Sequence, residues 1–312
     1  MSRLFFLLVL LMAPNLCRPQ GSQQFQVVPL SKVRHLQTRY PYNGYKPALD
    51  VAGYCLLDRP QKLDVSRLRV IYDVDILVDT LSDKRLKDCM VTLIGDTYYK
   101  SYGRCCWQVC MNHTDRTLRK SKDFAWMDAY DGVVLNMAVY RNRSTRRMTQ
   151  RGLFPLIDQL VFEYTESEPP MNWVLSGQTR TLEGYTCQRA VCRYAGREWE
   201  VWFTTAVPVD CGLWKFNGLP GLILEARDLR GHYHFRVNTV ESHVEEIVCY
   251  RTATKKLTRS EYLKRERTLY SAPLFHAQGP DSYFLKCYES GAMEFVTADD
   301  FVDLPYNPLE LE

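Results

Sequence analysis

The sequence predicts a mainly β fold, a β-rich α+β class. It centres on a strongly curved antiparallel sheet, an open barrel or a sandwich, with one short C-terminal helix. Three observations carry this expectation. Several runs alternate apolar and polar residues at period two. Reversals containing Gly, Asp or Pro fall between those runs. Only one stretch has a helix start signal followed by helical composition. The chain has 312 residues, 46% hydrophobic and 24% charged, which suits a packed core. A net charge of +4 lacks the concentrated basic face that nucleic-acid binding needs.

Residues 1–21 read as a signal peptide. Met1-Ser2-Arg3 is a short positive start, and Leu4 to Met12 is an unbroken apolar core. That core is shorter than the roughly 20 residues a membrane-spanning helix requires. A leucine stands before Cys17, where a lipoprotein would place a small residue, so lipidation at Cys17 is disfavoured. No later stretch is long and apolar enough for a transmembrane helix. Export is expected, to the periplasm or the outer membrane, with secretion as a variant. Residues 22–312 then read as a single β-rich domain.

Within it, residues 22–48 are polar, rich in Tyr and Pro, and read as an extended lead-in. Val70, Tyr72, Val74, Ile76 and Val78 alternate with Asp73 and Asp75, the pattern of a half-buried antiparallel strand. Two β-rich runs flank Gly95-Asp96 and predict a hairpin. Residues 132–142 are a further strand candidate. Residues 143–151, with Arg143, Arg146, Arg147 and Arg151, read as a solvated loop. Around the turn signal Gly196-Arg197, Tyr185 to Val191 and Trp199, Val201, Phe203 alternate as two strands of a hairpin. Residues 222–228 and 232–243 are two more strands, reversed at 228–231. Thr258, with Glu261 three residues on, forms a capping-box signature for a helix over about 259–268. The acidic end after it reads as a tail that docks.

Gly218-Leu219-Pro220-Gly221-Leu222-Ile223 combines two glycines, a proline and three aliphatics. Pro220 suits the second position of a turn, and Gly221 the positive φ of the third. Gly218 would allow close approach of another segment. Leu219 and Leu222 would anchor the corner in the core. The hexamer supplies no nucleophile, base or metal ligand.

The chain resembles the GLPGLI family, exported proteins of Bacteroidota. The likeness rests on this hexamer together with Tyr185-Thr186-Cys187-Gln188, Ala190, Gly196-Arg197, Trp199, Trp202-Phe203-Thr204, Pro208, Gly212 and Trp214-Lys215. Residues 164–175 and the closing Tyr-Asn-Pro-Leu-Glu-Leu-Glu extend it. Leu213 stands where the family would place proline, and Cys192, Cys211 and the Cys105-Cys106-Cys110 group depart from its pattern. The resemblance implies location and architecture; the family has no established activity.

Ten cysteines remain when Cys17 is set aside: Cys55, Cys89, Cys105, Cys106, Cys110, Cys187, Cys192, Cys211, Cys249 and Cys287. An even number in an exported chain makes all ten disulfide candidates, with connectivity open. Cys105, Cys106 and Cys110, with Met111 and His113, are also ligand types suited to copper or zinc. His232 and His234, two apart, would share a strand face and could hold a metal. Disulfides and a solvent-facing strand are the simpler readings of these two sets. Trp202, Trp214 and Phe216 are the place to seek an apolar ligand or partner groove, against core packing. No Gly-x-Ser-x-Gly elbow or His-Glu-x-x-His helix is present, so a hydrolase is the least supported reading. The expectation is a non-catalytic module without cofactor, holding an apolar ligand, a lipid or an envelope protein partner on its sheet. Metal handling is the alternative.

Overall fold

The computed structural model describes residues 33–40, 44–47, 60–104, 135–152, 161–250, 254–271, 283–288, 293–295 and 306–311. The expectations for residues 1–21, Cys17, Cys55 and the Cys105-Cys106-Cys110 group lie outside these. The strands are β1 (Val33–Tyr40), β2 (Gly44–Pro47), β3 (Pro60–Asp79), β4 (Lys84–Gly95), β5 (Tyr98–Gly103), β6 (Met137–Asn142), β7 (Arg147–Gly152), β8 (Val161–Ser167), β9 (Val174–Leu182), β10 (Tyr185–Tyr194), β11 (Arg197–Thr204), β12 (Leu222–Asp228), β13 (Tyr233–Ser242), β14 (Glu246–Tyr250) and β15 (Thr254–Lys256). Helix α1 (Arg259–Tyr270) follows, then β16 (Tyr283–Tyr288) and β17 (Met293–Phe295).

The fold is mainly β, as the periodicity predicts. Thirteen strands form one sheet in the order β15-β8-β7-β6-β5-β4-β3-β13-β12-β11-β10-β9, with β14 also on β3. It is not closed, so it is the open form among the predicted architectures. All pairs are antiparallel except β15 on β8. A four-stranded sheet, β17-β16-β1-β2, is separate. Its β1 and β2 fall where an extended lead-in was expected; their backbone groups pair with β16 and with each other instead.

β3 spans 20 residues. On one side it pairs with β4 along most of its length, and on the other with β14 and then β13. Val70, Tyr72, Val74 and Ile76 are buried at the predicted spacing. They share one core with residues of β4, β5, β6 and β10 to β13 and with Leu213 to Leu219. For strands so far apart in the sheet to meet one short segment, the sheet must bend around it. The Tyr72 hydroxyl crosses this core to donate to the Ile223 carbonyl at 2.7 Å. Behind the sheet, Ile71, Cys89, Val91, Leu93 and Ile247 form a second, smaller cluster.

The hairpins fall where the reversals predict: β4–β5 across 96–97, β10–β11 across 195–196, and β12–β13, where Asp228 Oδ1 accepts from the backbone N–H of His232 and Tyr233. The loop expected over 143–151 is overturned. β7 begins at Arg147, and Arg151 is buried there because it is neutralised. Its guanidinium donates to Glu163 at 3.0 Å, the Tyr250 carbonyl at 2.6 Å and Thr254 at 2.8 Å. Helix α1 starts at the predicted cap, with both halves of the Thr258–Glu261 capping box formed. It packs Tyr262 on Phe162 and Tyr164 of β8. No helix of the described residues is long and apolar enough to cross a membrane.

Candidate functional site

The run from Cys211 to Ile223 folds into the bend of the sheet. An isolated bridge joins Cys211 to Asn217, and the Phe216 N–H donates to the Leu213 carbonyl at 3.2 Å. Trp214 sits at φ 56°, a left-handed conformation costly for a bulky residue. This tight reversal turns Leu213, Trp214 and Phe216 into the core. There Trp214 meets Tyr194, Trp199 and Phe216 at centroid separations of 5.3, 5.9 and 5.3 Å.

The two glycines exchange the roles expected of them. Gly218 has the positive φ, 84°, and Gly221 does not. A Cβ on Gly221 would stand 2.0 Å from the Thr204 carbonyl oxygen, so Gly221 is the close-approach glycine. The type II turn expected at Pro220-Gly221 is therefore absent; the positive φ falls three residues earlier, at Gly218. Leu219, Leu222 and Ile223 are buried anchors, as expected.

Two buried cations hold the segment 306–311 against this core. Lys215 is fully buried. Its Nζ lies 2.8 Å from Glu166 Oε1 and 2.7 Å from Glu310 Oε1, and also donates to the Tyr164 hydroxyl. Arg259 of α1 reaches Glu310 at 2.6 Å. Arg197 is paired with Asp228 at 2.8 Å, both fully buried. The same guanidinium donates to Asn307 Oδ1 at 2.8 Å and to the carbonyls of Pro308 at 2.5 Å and Leu309 at 3.1 Å. Asn307 in turn donates to the Leu77 carbonyl, and Tyr233 to the Asn307 carbonyl. The tail thus docks, through ions that each have several partners.

Between the sheet, α1 and this segment lies a cavity of about 80 Å³, lined by Trp214, Leu135, Gln150, Glu266, Tyr270 and Tyr306 among others. The Trp214 indole nitrogen is buried with no hydrogen-bond partner. Burial, and then the charge of Glu310, push the Glu266 carboxyl up to about 7, against a donated bond from the Tyr306 hydroxyl at 3.1 Å.

The predicted candidates do not converge. Trp214 and Phe216 are core residues, whereas Trp202 is only partly buried, under the Arg180 guanidinium at 4.1 Å. The three share no surface groove, because Trp202 points away from Trp199 and Val201 on the same strand. His234 bonds Glu225 at 2.7 Å, while His232 faces Asn307 and Arg197 at 3.3 and 3.4 Å. The two histidines thus have different partners. No three His, Cys, Asp or Glu among the described residues gather in a way that could hold a metal.

No disulfide is formed among the described residues, and Cys187, Cys192, Cys211 and Cys249 are free thiols. Burial raises the first three, Cys192 to about 12. Cys89 is buried in the rear cluster, and Cys287 lies on β16. Lys215, Arg197, Glu266 and Glu310 were missed by sequence reasoning. The available signal was a cation between two aromatics, Trp214-Lys215-Phe216, and a tail rich in acid and leucine.

No family model matches the chain, and no curated protein matches it. Two crystal structures of PNGF-II, in space groups P21 and C2, align with a TM-score of 0.42 each, at 13% and 12% identity. Each alignment covers 65% of this chain, and 33% and 32% of the two PNGF-II chains. The chain therefore spans about a third of the length of the structures it matches. At that TM-score the likeness carries no argument.

Proposed function

We propose that the chain is an exported, non-catalytic module of the cell envelope, of the GLPGLI type, that acts by engaging a protein partner. The observation that carries this is the filling of the sheet's bend by the chain itself. Leu213 to Leu219 and Leu309 occupy the bend, and the cavity that remains is about 80 Å³. Pockets for drug-sized ligands run to about 300–1,000 Å³. A lipid would have to displace segments held by Lys215 and Arg197. These cations are engaged with Glu166, Glu310 and Asp228, which supports an anchoring role over a catalytic one. Binding is left to the outer surfaces. The Met1 to Met12 pattern supports export, and the spread of anchors over residues 164–223 supports the family.

The test is native mass spectrometry of the protein purified from its host envelope, with cross-linking before extraction. The expected result is a protein mass without lipid and a stoichiometric cross-linked partner. A stoichiometric lipid, or no partner after cross-linking, would sink the proposal.

A further inference from the structure

β6 and β7 are joined by Arg143-Ser144-Thr145-Arg146, beyond the closing pair Asn142 and Arg147. This turn is fixed at several points. Asn142 Oδ1 accepts from the Thr145 N–H at 2.9 Å. The Arg143 N–H donates to the Thr97 carbonyl of the neighbouring turn at 2.9 Å, and the Arg146 carbonyl accepts from the Glu168 N–H at 2.8 Å. An open depression of about 400 Å³ lies against the turn, lined by Arg141, Arg143, Ser144, Arg146 and Asp210.

Among the described residues, three guanidinium groups and one carboxylate line it, an excess of positive charge. The acids nearby are already engaged. Arg141 is buried and donates to both oxygens of Glu168, at 2.7 and 3.2 Å, and to Asp210 Oδ2 at 2.8 Å. Asp210 Oδ1 accepts from the Tyr99 hydroxyl at 3.1 Å. Arg143 lies 3.9 Å from Asp210, and Arg146 3.8 Å from Glu168, both beyond hydrogen-bond reach. Their side chains are 44% and 77% exposed. Arg143 is held in place over the Tyr99 ring, at 5.2 Å, and gives one N–H to the Asp96 carbonyl at 3.1 Å. Its remaining donors, those of Arg146 and the Ser144 hydroxyl are what the depression offers a ligand.

We propose that this depression binds a phosphoryl group, between Arg143 and Arg146, with Ser144 as a further donor. The number of donors argues for that class. One guanidinium fork satisfies one carboxylate, as Arg141 does Glu168. Two further forks beside one depression suit an anion with more than two oxygens and more than one charge, and each fork matches a pair of phosphate oxygens. The group can arrive free, as inorganic phosphate, or on the headgroup of an anionic lipid. A headgroup held here leaves its acyl chains in the bilayer and outside the bend of the sheet. The inference goes beyond the proposed partner role, and its test uses the purified protein without a partner.

Titration calorimetry with inorganic phosphate tests the free anion. Flotation with phosphatidylcholine vesicles carrying phosphatidic acid, against phosphatidylcholine alone, tests the headgroup. Binding in either arm is the expected result, and the arm that binds identifies the source. There, Arg143→Gln and Arg146→Gln should each weaken binding about tenfold, the loss of charge-assisted hydrogen bonds from one fork. Arg147→Gln removes the same charge one residue further on, from an exposed side chain outside the depression, and should leave binding unchanged. Circular dichroism confirms that the three variants fold. No binding in either arm, or binding indifferent to Arg143 and Arg146, would overturn the inference. An equal loss in Arg147→Gln would also overturn it, by showing diffuse attraction in place of a site.

Discussion

Gly218 and Gly221 stand three positions apart, and each is required for a different reason. At Gly218 the backbone demands glycine, but the space around an added Cβ is open apart from Trp173 Nε1 at 4.0 Å. Gly218→Ala should cost about 1–2 kcal/mol, the strain of an L-residue in the left-handed region. At Gly221 the obstacle is main chain, which cannot swing aside as a side chain can. Gly221→Ala should cost about 3 kcal/mol, as overpacking against a fixed strand does. Urea denaturation of the two variants would give the reverse order if the roles were those of a type II turn. Glu266 supplies a pH dependence. Its folded value, about 7, lies above its ordinary 4.5, so the folded state holds the proton more tightly. The associated stability is complete below about pH 4.5 and is lost as pH rises through about 7, amounting to about 3 kcal/mol at most. Lys100, lowered by burial to about 7, acts in the opposite sense. Its contribution is complete above its ordinary 10.5 and is lost as pH falls through 7. The interval from pH 5 to 7 therefore mainly reports Glu266. Glu266→Gln should flatten the decline in stability there, and an unchanged slope in urea denaturation would refute the assignment.

The elements differ in what holds them. Helix α1 has a capping box worth about 1 kcal/mol, so Thr258→Ala should destabilise by about that amount. Beyond the packing of Tyr262 on β8, the Arg259–Glu310 pair ties it to the docked segment. That segment depends on Lys215 and Arg197 in turn. Removing one member of a buried pair leaves the other charge uncompensated, which costs about 3–5 kcal/mol. Lys215→Ala should lose that much by denaturant titration and should expose the segment 306–311 to hydrogen exchange. A loss below about 1 kcal/mol, with protection retained, would show that Leu309 and the contacts of Arg197 and Arg259 hold the segment without Lys215. The neighbouring strands are held by apolar alternation instead. β11 buries Trp199, Val201 and Phe203 almost completely, and that was legible residue by residue. β7 was not legible, since its burial rests on Arg151 meeting Glu163 twelve residues away and Tyr250 ninety-nine away. Periodicity weighs arginine as solvent-facing and carries no record of partners so distant.

Across the whole molecule, the same division explains what could be read in advance. The β class, the hairpins and the helix follow from local pattern and turn chemistry. The wrapping of the sheet around Leu213 to Leu219, and the clamp on 306–311, follow from contacts across the chain that no window of sequence contains. The candidate site was therefore read only at its apolar anchors. Trp202, Trp214 and Phe216 looked alike as aromatics, and only the bend of the sheet separates two core residues from one on the outside. Cysteine number misled in a similar way, since parity says nothing of position. Cys187, Cys192 and Cys211 sit in apolar surroundings that raise their thiols and hide them. A thiol reagent added to native protein should modify these three only as fast as the protein unfolds, whereas denatured protein should react at once. Rapid modification of the three under native conditions would contradict the packing described.

The clamp on 306–311 also imposes an order of events. Every group described as gripping this segment, from Leu77 to Tyr270, precedes it in the chain, with gaps of 230 residues to Leu77 and 110 to Arg197. While the polypeptide is being made, Arg197 has Asp228 and Lys215 has Glu166, but both wait for their further partners in 307–310. The clamp is therefore the last of these contacts to become available.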